Sequence, residues 1–170
     1  MAEYHVAQFN IARIRAELDE PLMTGFVSRL DELNHLADAT PGFVWRHKTE
    51  DDTSTSVRPY DDERVIINMS VWESIDALHE YAYRSAHGPV YAARHQWFEP
   101  MDGETLVLWW LPAGHEPSVD EAMERLELLR RDGPTAEAFT LKRRFPAPAM
   151  APLGLSASDH PCQGSAEAGG

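Results

Sequence analysis

Residues 64–72, RVIINMSVW, place the strongest constraint on what this chain can fold into. Val65, Ile67, Met69 and Val71 alternate with Ile66, Asn68, Ser70 and Trp72, which is the pattern of a strand whose successive side chains point to opposite faces. Both sets are largely apolar, so both faces of this strand need cover. Residues 105–111, TLVLWWL, bounded by Gly103 and Pro112, repeat the demand, because an uninterrupted apolar run of this length reads as a second strand covered on both sides. A layered arrangement of sheet and helices follows.

The remaining segments supply the layers. Residues 4–11 alternate apolar and polar side chains as a first strand. Residues 21–37 form an amphipathic helix opened by Pro21, with Leu22, Phe26, Leu30 and Leu33 on its inner stripe. After a turn at Pro41-Gly42, residues 43–48 read as a second strand, with Phe43, Trp45 and His47 on one face. Residues 50–63 are rich in Asp, Ser and Thr and form a loop with room for a flap. Ser74 caps a helix running to about residue 83, and a second helical piece starts at Pro89, after Gly88, and runs to about residue 98. Ser118 and Glu121 have capping-box spacing at the head of a helix over 118–131, which Gly133-Pro134 stops. Residues 138–145 read as a short edge strand.

The resulting order is strand, helix, strand, strand, helix, strand, that of an α+β ferredoxin-like βαββαβ sandwich, with one extra C-terminal helix. The expected domain covers residues 1–146. Residues 147–170 are Pro, Ala, Ser and Gly with few large apolar side chains, and read as a disordered tail. If helices cover one sheet face only, Trp45 or Trp109 is left on the other, and a second copy packed sheet to sheet is the expected cover. A homodimer is therefore predicted.

Charge and cysteine usage exclude several functions. Fifteen Lys and Arg against 28 Asp and Glu give a formal charge of −13, which repels nucleic-acid backbones and anionic membranes. The single cysteine, Cys162, makes no internal disulfide and no Cys-based metal cluster. No basic leader and no run of about 18 apolar residues occurs, so the expectation is a cytoplasmic protein that does not enter membranes. P-loop, G-x-G-x-x-G and G-x-S-x-G patterns are absent.

Residues 79–100 concentrate the candidate chemistry. Arg94 falls in the middle of an apolar arc made by Val90, Ala93, Trp97 and Phe98. Either it runs its stem along the core to a carboxylate or to solvent, or its guanidinium holds a ligand carboxylate, enolate or phenolate. His79 is expected on the inner face of its helix with Ile75, Leu78, Ala82 and Tyr83, as a core histidine or a general base. His87 sits just before a helix start, where the dipole favours the neutral imidazole of a base or of a simple turn cap. His95 lies on a flank. Asn68 and Ser70 share a strand face with Trp72, where they either bond a ligand carbonyl or form a satisfied polar patch at the dimer contact. The eight-residue interval between His87 and His95 is not metal-ligand spacing, and no metal site is expected.

The strings YHVAQFNIAR, INMSVWESIDALHEYAYRSAHGPVYAARHQWF and LVLWWLPAGHEPSVDEAMERLELLRRDGPTAEAFTLKRRFP resemble the DUF3291 family, within the dimeric α/β-barrel superfamily. The resemblance spans about residues 4–146 and implies the same fold and dimerisation. The family has no general assigned activity. The wider superfamily includes cofactor-free monooxygenases, cyclases, isomerases and haem proteins, which place their pocket between sheet and helices. Carried over by motif, the site residues are Asn68, Ser70, Trp72, Tyr83, His87, Arg94, Trp97 and Phe98.

The expectation is a cofactor-independent monooxygenase or cyclase/isomerase of secondary metabolism, acting on an aromatic or polyketide-like small molecule. Trp72, Tyr83, Trp97 and Phe98 line its pocket, His87 or His79 is the base, and Arg94 and Asn68 stabilise an enolate or phenolate. Haem binding through His87 or His79, and a non-catalytic binding module, are the alternatives.

Overall fold

A long central strand, β1 (Tyr4–Ile14), organises the sheet by pairing on both sides. The computed structural model describes residues 3–48, 60–86 and 92–148. The expected tail beyond residue 148, most of the 50–63 loop and the joint at His87 lie outside the described residues.

On one side β1 runs antiparallel to β3 (Val65–Trp72), from Val6 opposite Trp72 to Arg13 opposite Val65. On the other side it pairs with β5 (Leu106–Pro112) through Tyr4 to Asn10, and then with a two-residue β4 (Phe98–Glu99) at Arg13 and Ile14. β2 (Phe43–Arg46) completes the sheet beside β3. Two helices, α1 (Thr24–Ala39) after a 3-10 turn at Pro21–Met23, and α2 (Ile75–Ala86), connect the strands in the ferredoxin-like order. The short α3 (Arg94–Trp97) leads into β4, and α4 (Val119–Asp132) follows β5. Among the described residues, the helical piece expected to reach residue 98 therefore ends at Trp97, and Phe98 is a strand residue.

Alternation along β3 and β5 divides the core as their sequences predict. Val65, Ile67, Met69 and Val71 join Ala7, Phe9, Val107 and Trp109 on one face, whereas Trp72 and Leu108 join Val6 and Leu78 on the other. The second group packs under α1 and α2. The first packs under α4, whose Ala122, Leu126 and Leu129 are buried against it.

This arrangement corrects the expectation that helices cover one face only. Trp109 is 0% exposed beneath α4, and its indole N–H donates to Glu121 Oε1 at 3.1 Å. Trp45 is partly buried on the same cluster. The chain thus covers with its own C-terminal helix the tryptophan from which a second copy is inferred. α4 is held at its start by Ser118, whose hydroxyl accepts from the Glu121 N–H at 3.1 Å, as the capping-box spacing predicts.

Two local departures have identifiable causes. A register shift between Phe43 and Trp45 places Phe43 opposite Trp72 and Trp45 opposite Val71, so the two rings lie on opposite sheet faces instead of one. Over residues 138–145 only Phe139 bridges β5, at Leu108. There the Thr140 hydroxyl accepts from the Arg143 N–H at 3.1 Å, a turn that leads the chain off the sheet edge.

Candidate functional site

The face of β1 and β3 beneath α1 and α2 carries polar residues in its middle. Register sets Gln8 opposite Ser70 and Asn10 opposite Asn68, flanked by the Val6–Trp72 and Ala12–Ile66 pairs. Period-2 alternation turns these side chains toward the helices, where an apolar core would otherwise continue. A cleft of ≈ 650 Å³ opens there instead. That volume lies within the range of small-molecule sites.

Its floor includes Gln8, Asn10 and Asn68. From α1 come Phe26, Leu30, Leu33 and Asn34, and from α2 come Leu78, Tyr81, Ala82 and Ser85. Arg94, Phe98 and Glu99 complete the wall. The walls are mainly apolar and the polar groups are few, an arrangement that binds a flat apolar body and fixes its orientation through a small number of directed bonds.

The floor is held by a continuous chain of hydrogen bonds. Trp72 Nε1 donates to Ser70 Oγ at 2.9 Å, Ser70 Oγ donates to Gln8 Oε1 at 2.9 Å, and Gln8 Nε2 donates to Asn10 Oδ1 at 3.3 Å. Gln8 and Ser70 are buried, and this pairing offsets the cost of removing them from water.

Of the residues proposed from sequence, Asn68, Arg94 and Phe98 line the cleft. Ser70 does not line the cleft but bonds the floor residue Gln8, at 5% exposure. Trp72 does not line it. The indole is fully buried, edge-on to Phe43 and stacked on Tyr81 with ring centroids 5.1 Å apart, so Tyr81 presents the aromatic surface that Trp72 is expected to present. Trp97 is likewise core, packed with Phe26 against Met23 and Ile14.

His79 and Tyr83 are corrections. Both are exposed, Tyr83 at 58%. The inner stripe of α2 is Leu78, Tyr81, Ala82 and Ser85, and at 100° per residue His79 and Tyr83 fall roughly 110° and 150° from its centre. An inner face centred near Ile75 and Ala82 is rotated too far toward them. His79 is thus exposed and does not line this cleft, and His87 lies outside the described residues. No histidine is among the described residues of the lining. Among the described residues no group of His, Cys, Asp or Glu is placed to hold a metal, and no helix is long and apolar enough to cross a membrane.

Sequence reasoning missed Gln8, Asn10, Tyr81 and Glu99. Gln8 and Asn10 were legible as the polar positions of an otherwise apolar first strand, and Tyr81 as the residue three places beyond Leu78. Burial pushes the Tyr81 phenol above its usual range, with the Arg46 guanidinium opposing, so it stays a neutral donor at physiological pH. Arg46 itself pairs with Asp38 at 3.1 Å, tying β2 to the end of α1. Gly42 allows α2 to approach this corner: its φ is +88°, and an added Cβ would lie 2.6 Å from that of Ala77.

A family model described as a domain of unknown function (DUF3291) matches residues 5–153. No curated protein matches the chain. Among solved structures, the chain is similar to SnoaB from Streptomyces nogalater, a cofactor-independent oxygenase, at 17% identity and a TM-score of 0.43, over 66% of this chain and 95% of that one. It is similar to PA3566 from Pseudomonas aeruginosa at 10% identity and a TM-score of 0.40, over 68% and 99% of the two chains. A third likeness is to an uncharacterized NIPSNAP-like domain protein from Burkholderia xenovorans, at 10% identity and a TM-score of 0.39, over 69% and 92%.

Proposed function

Because the chain belongs to the DUF3291 family, whose description assigns no reaction, we propose its function from the cleft: an enzyme without metal or nucleotide cofactor that acts on an aromatic or polyketide-like small molecule through an enolate or phenolate anion. The observation that carries this reading is the convergence of Asn10, Asn68 and Arg94 on a cleft otherwise walled by Phe26, Leu30, Leu33 and Phe98. Apolar walls take a ring system. Amide and guanidinium donors held beside its oxygen stabilise the negative charge that develops on it.

Deprotonation of an activated ring methylene leaves its charge on the neighbouring oxygen, and such an anion is the common start of oxygenation and of cyclisation or isomerisation. For oxygenation the balance needs no external reductant: one CH2 group and one O2 give one carbonyl and one water. With His79 outside the cleft, the proton acceptor in this reading is Glu99, a half-buried carboxylate of the wall with Arg64 4.0 Å away.

The test is turnover of phenolic polycycles bearing an activated ring methylene, followed by O2 uptake and by the product spectrum in metal-free buffer. Arg94→Ala should lower kcat/KM by about 10²-fold or more. Glu99→Gln should lower kcat while ligand affinity is retained. Tight binding with no turnover of any member would replace this reading with a non-catalytic binding module.

A further inference from the structure

The hydrogen-bond chain in the floor of the cleft has a direction, and we infer that this direction fixes Asn10 as a hydrogen-bond donor toward the ligand, favouring compounds that present an acceptor oxygen to it over isosteres that present an N–H. The inference rests on the cleft being a ligand site, though not on any turnover there.

The direction is set at Trp72. An indole nitrogen donates and never accepts, so the Ser70 hydroxyl, 2.9 Å from Trp72 Nε1, is the acceptor of that bond. Its own proton is then free to go elsewhere and points along the 2.9 Å contact to Gln8. The Gln8 amide meets that proton with its carbonyl oxygen, which turns its NH2 group toward Asn10. Asn10 in turn meets the NH2 with Oδ1, leaving Nδ2 as its outer end. Asn10 lines the cleft beside its cross-strand neighbour Asn68, and among the described residues Nδ2 has no hydrogen-bond partner.

An isolated asparagine can rotate its amide and offer either end at little cost. Here rotation would set two oxygens or two NH2 groups against each other at Gln8 or Ser70, in a part of the sheet where Gln8 and Ser70 are 7% and 5% exposed. A buried donor or acceptor left in that state costs more than a ligand hydrogen bond returns. Gln8, Ser70 and Trp72 therefore act as positioning residues for the polarity of Asn10, and Trp72 has a function despite lying behind Tyr81 and out of reach of the cleft.

Three tricyclic compounds of one shape test this: fluorenone, whose carbonyl only accepts, carbazole, whose N–H only donates, and fluorene, which does neither. The full chain should bind fluorenone about tenfold tighter than the other two, the effect of one net hydrogen bond. Gln8→Glu reverses the chain, because a carboxylate accepts from both Ser70 and Asn10 and so turns Asn10 Oδ1 outward. Carbazole should then become the preferred ligand. Trp72→Phe removes the anchoring N–H together with part of a buried ring, and should bring fluorenone and carbazole toward equal affinity, whereas Ser70→Thr keeps the hydroxyl and should keep the wild-type order. A merely structural role would change all three affinities together.

Equal wild-type affinities, or an unchanged preference for fluorenone in Gln8→Glu and Trp72→Phe, would overturn the inference. Failure of all three compounds to bind would instead count against the aromatic cleft proposed above. In that event the side-chain amide protons of Gln8 and Asn10, located by NMR, still decide: an Asn10 NH2 group directed at Gln8 refutes the inference.

Discussion

Replacing Leu126 by alanine probes the claim that this chain covers the second face of its own sheet. Leu126 is 0% exposed on α4, in one cluster with Phe9, Met69 and Trp109. Truncation removes three buried carbons, and the total cost depends on whether α4 can settle into the space left behind. It is poorly placed to do so. Ser118 and the Trp109–Glu121 bond fix its first turn, Arg125 Nη1 donates to the Glu137 carbonyl at 2.9 Å, and Arg130 Nε donates to the Glu104 carbonyl at 2.8 Å. A residual cavity should persist, which places the loss at about 3 to 4 kcal/mol, in the middle of the range for buried leucines. Urea unfolding followed by tryptophan fluorescence, at two protein concentrations tenfold apart, reads both parts of the claim. The variant's midpoint should fall with an unchanged slope, and neither protein's midpoint should move with concentration. A loss below about 1 kcal/mol, or a midpoint that rises with concentration in the wild type alone, would refute the reasoning, because the face would then be covered by a second copy and not by α4.

Two further substitutions test the elements that shape the cleft. Gly42→Ala places a side chain at φ +88° and 2.6 Å from the Ala77 Cβ, and should cost about 2 kcal/mol or more, whereas Gly114→Ala, at φ +91° with nothing within 4 Å, should cost less; thermal unfolding of both separates the steric term from the conformational one. The Tyr81 phenol is held above its usual value by burial, so the native state binds its proton more tightly than the unfolded state does. Its stabilising contribution is complete below the unfolded value near 10 and is lost as pH rises through the native one; Tyr81→Phe should flatten the alkaline fall in stability, and an unchanged alkaline profile would contradict the assignment.

What the sequence discloses here depends on whether a signal is local. The alternation in 64–72 and the apolar run in 105–111 carry their burial in their own composition, and the clusters of the folded chain divide as those patterns require. Ser118 and Glu121 announce a helix start by spacing alone. The bulge after Phe43 has no such signature, and it moves Phe43 to the face opposite Trp45. Amphipathicity marks α4 as a packing helix without saying which sheet face it packs on, and that choice decides whether Trp109 is buried within the chain or left for a partner.

The site was half legible for the same reason. Asn68 and Ser70 stand out as polar positions in an apolar strand, and Arg94 as a cation in an apolar arc. Their counterparts Gln8 and Asn10 acquire meaning only through the register that sets them opposite Ser70 and Asn68. On α2, three aromatic or histidine side chains lie within five positions, and a rotation of the inner stripe decides that Tyr81 lines the cleft while His79 and Tyr83 face solvent.

The most direct test of the central claim is a crystal structure of the full chain with fluorenone bound. The account predicts the ring system between the sheet and α1 and α2, against Leu30 and Phe98, with its carbonyl oxygen within hydrogen-bond distance of Asn10 Nδ2. A ligand seated elsewhere on the protein, or a carbonyl turned away from Asn10 and Asn68 toward the apolar wall, would contradict it.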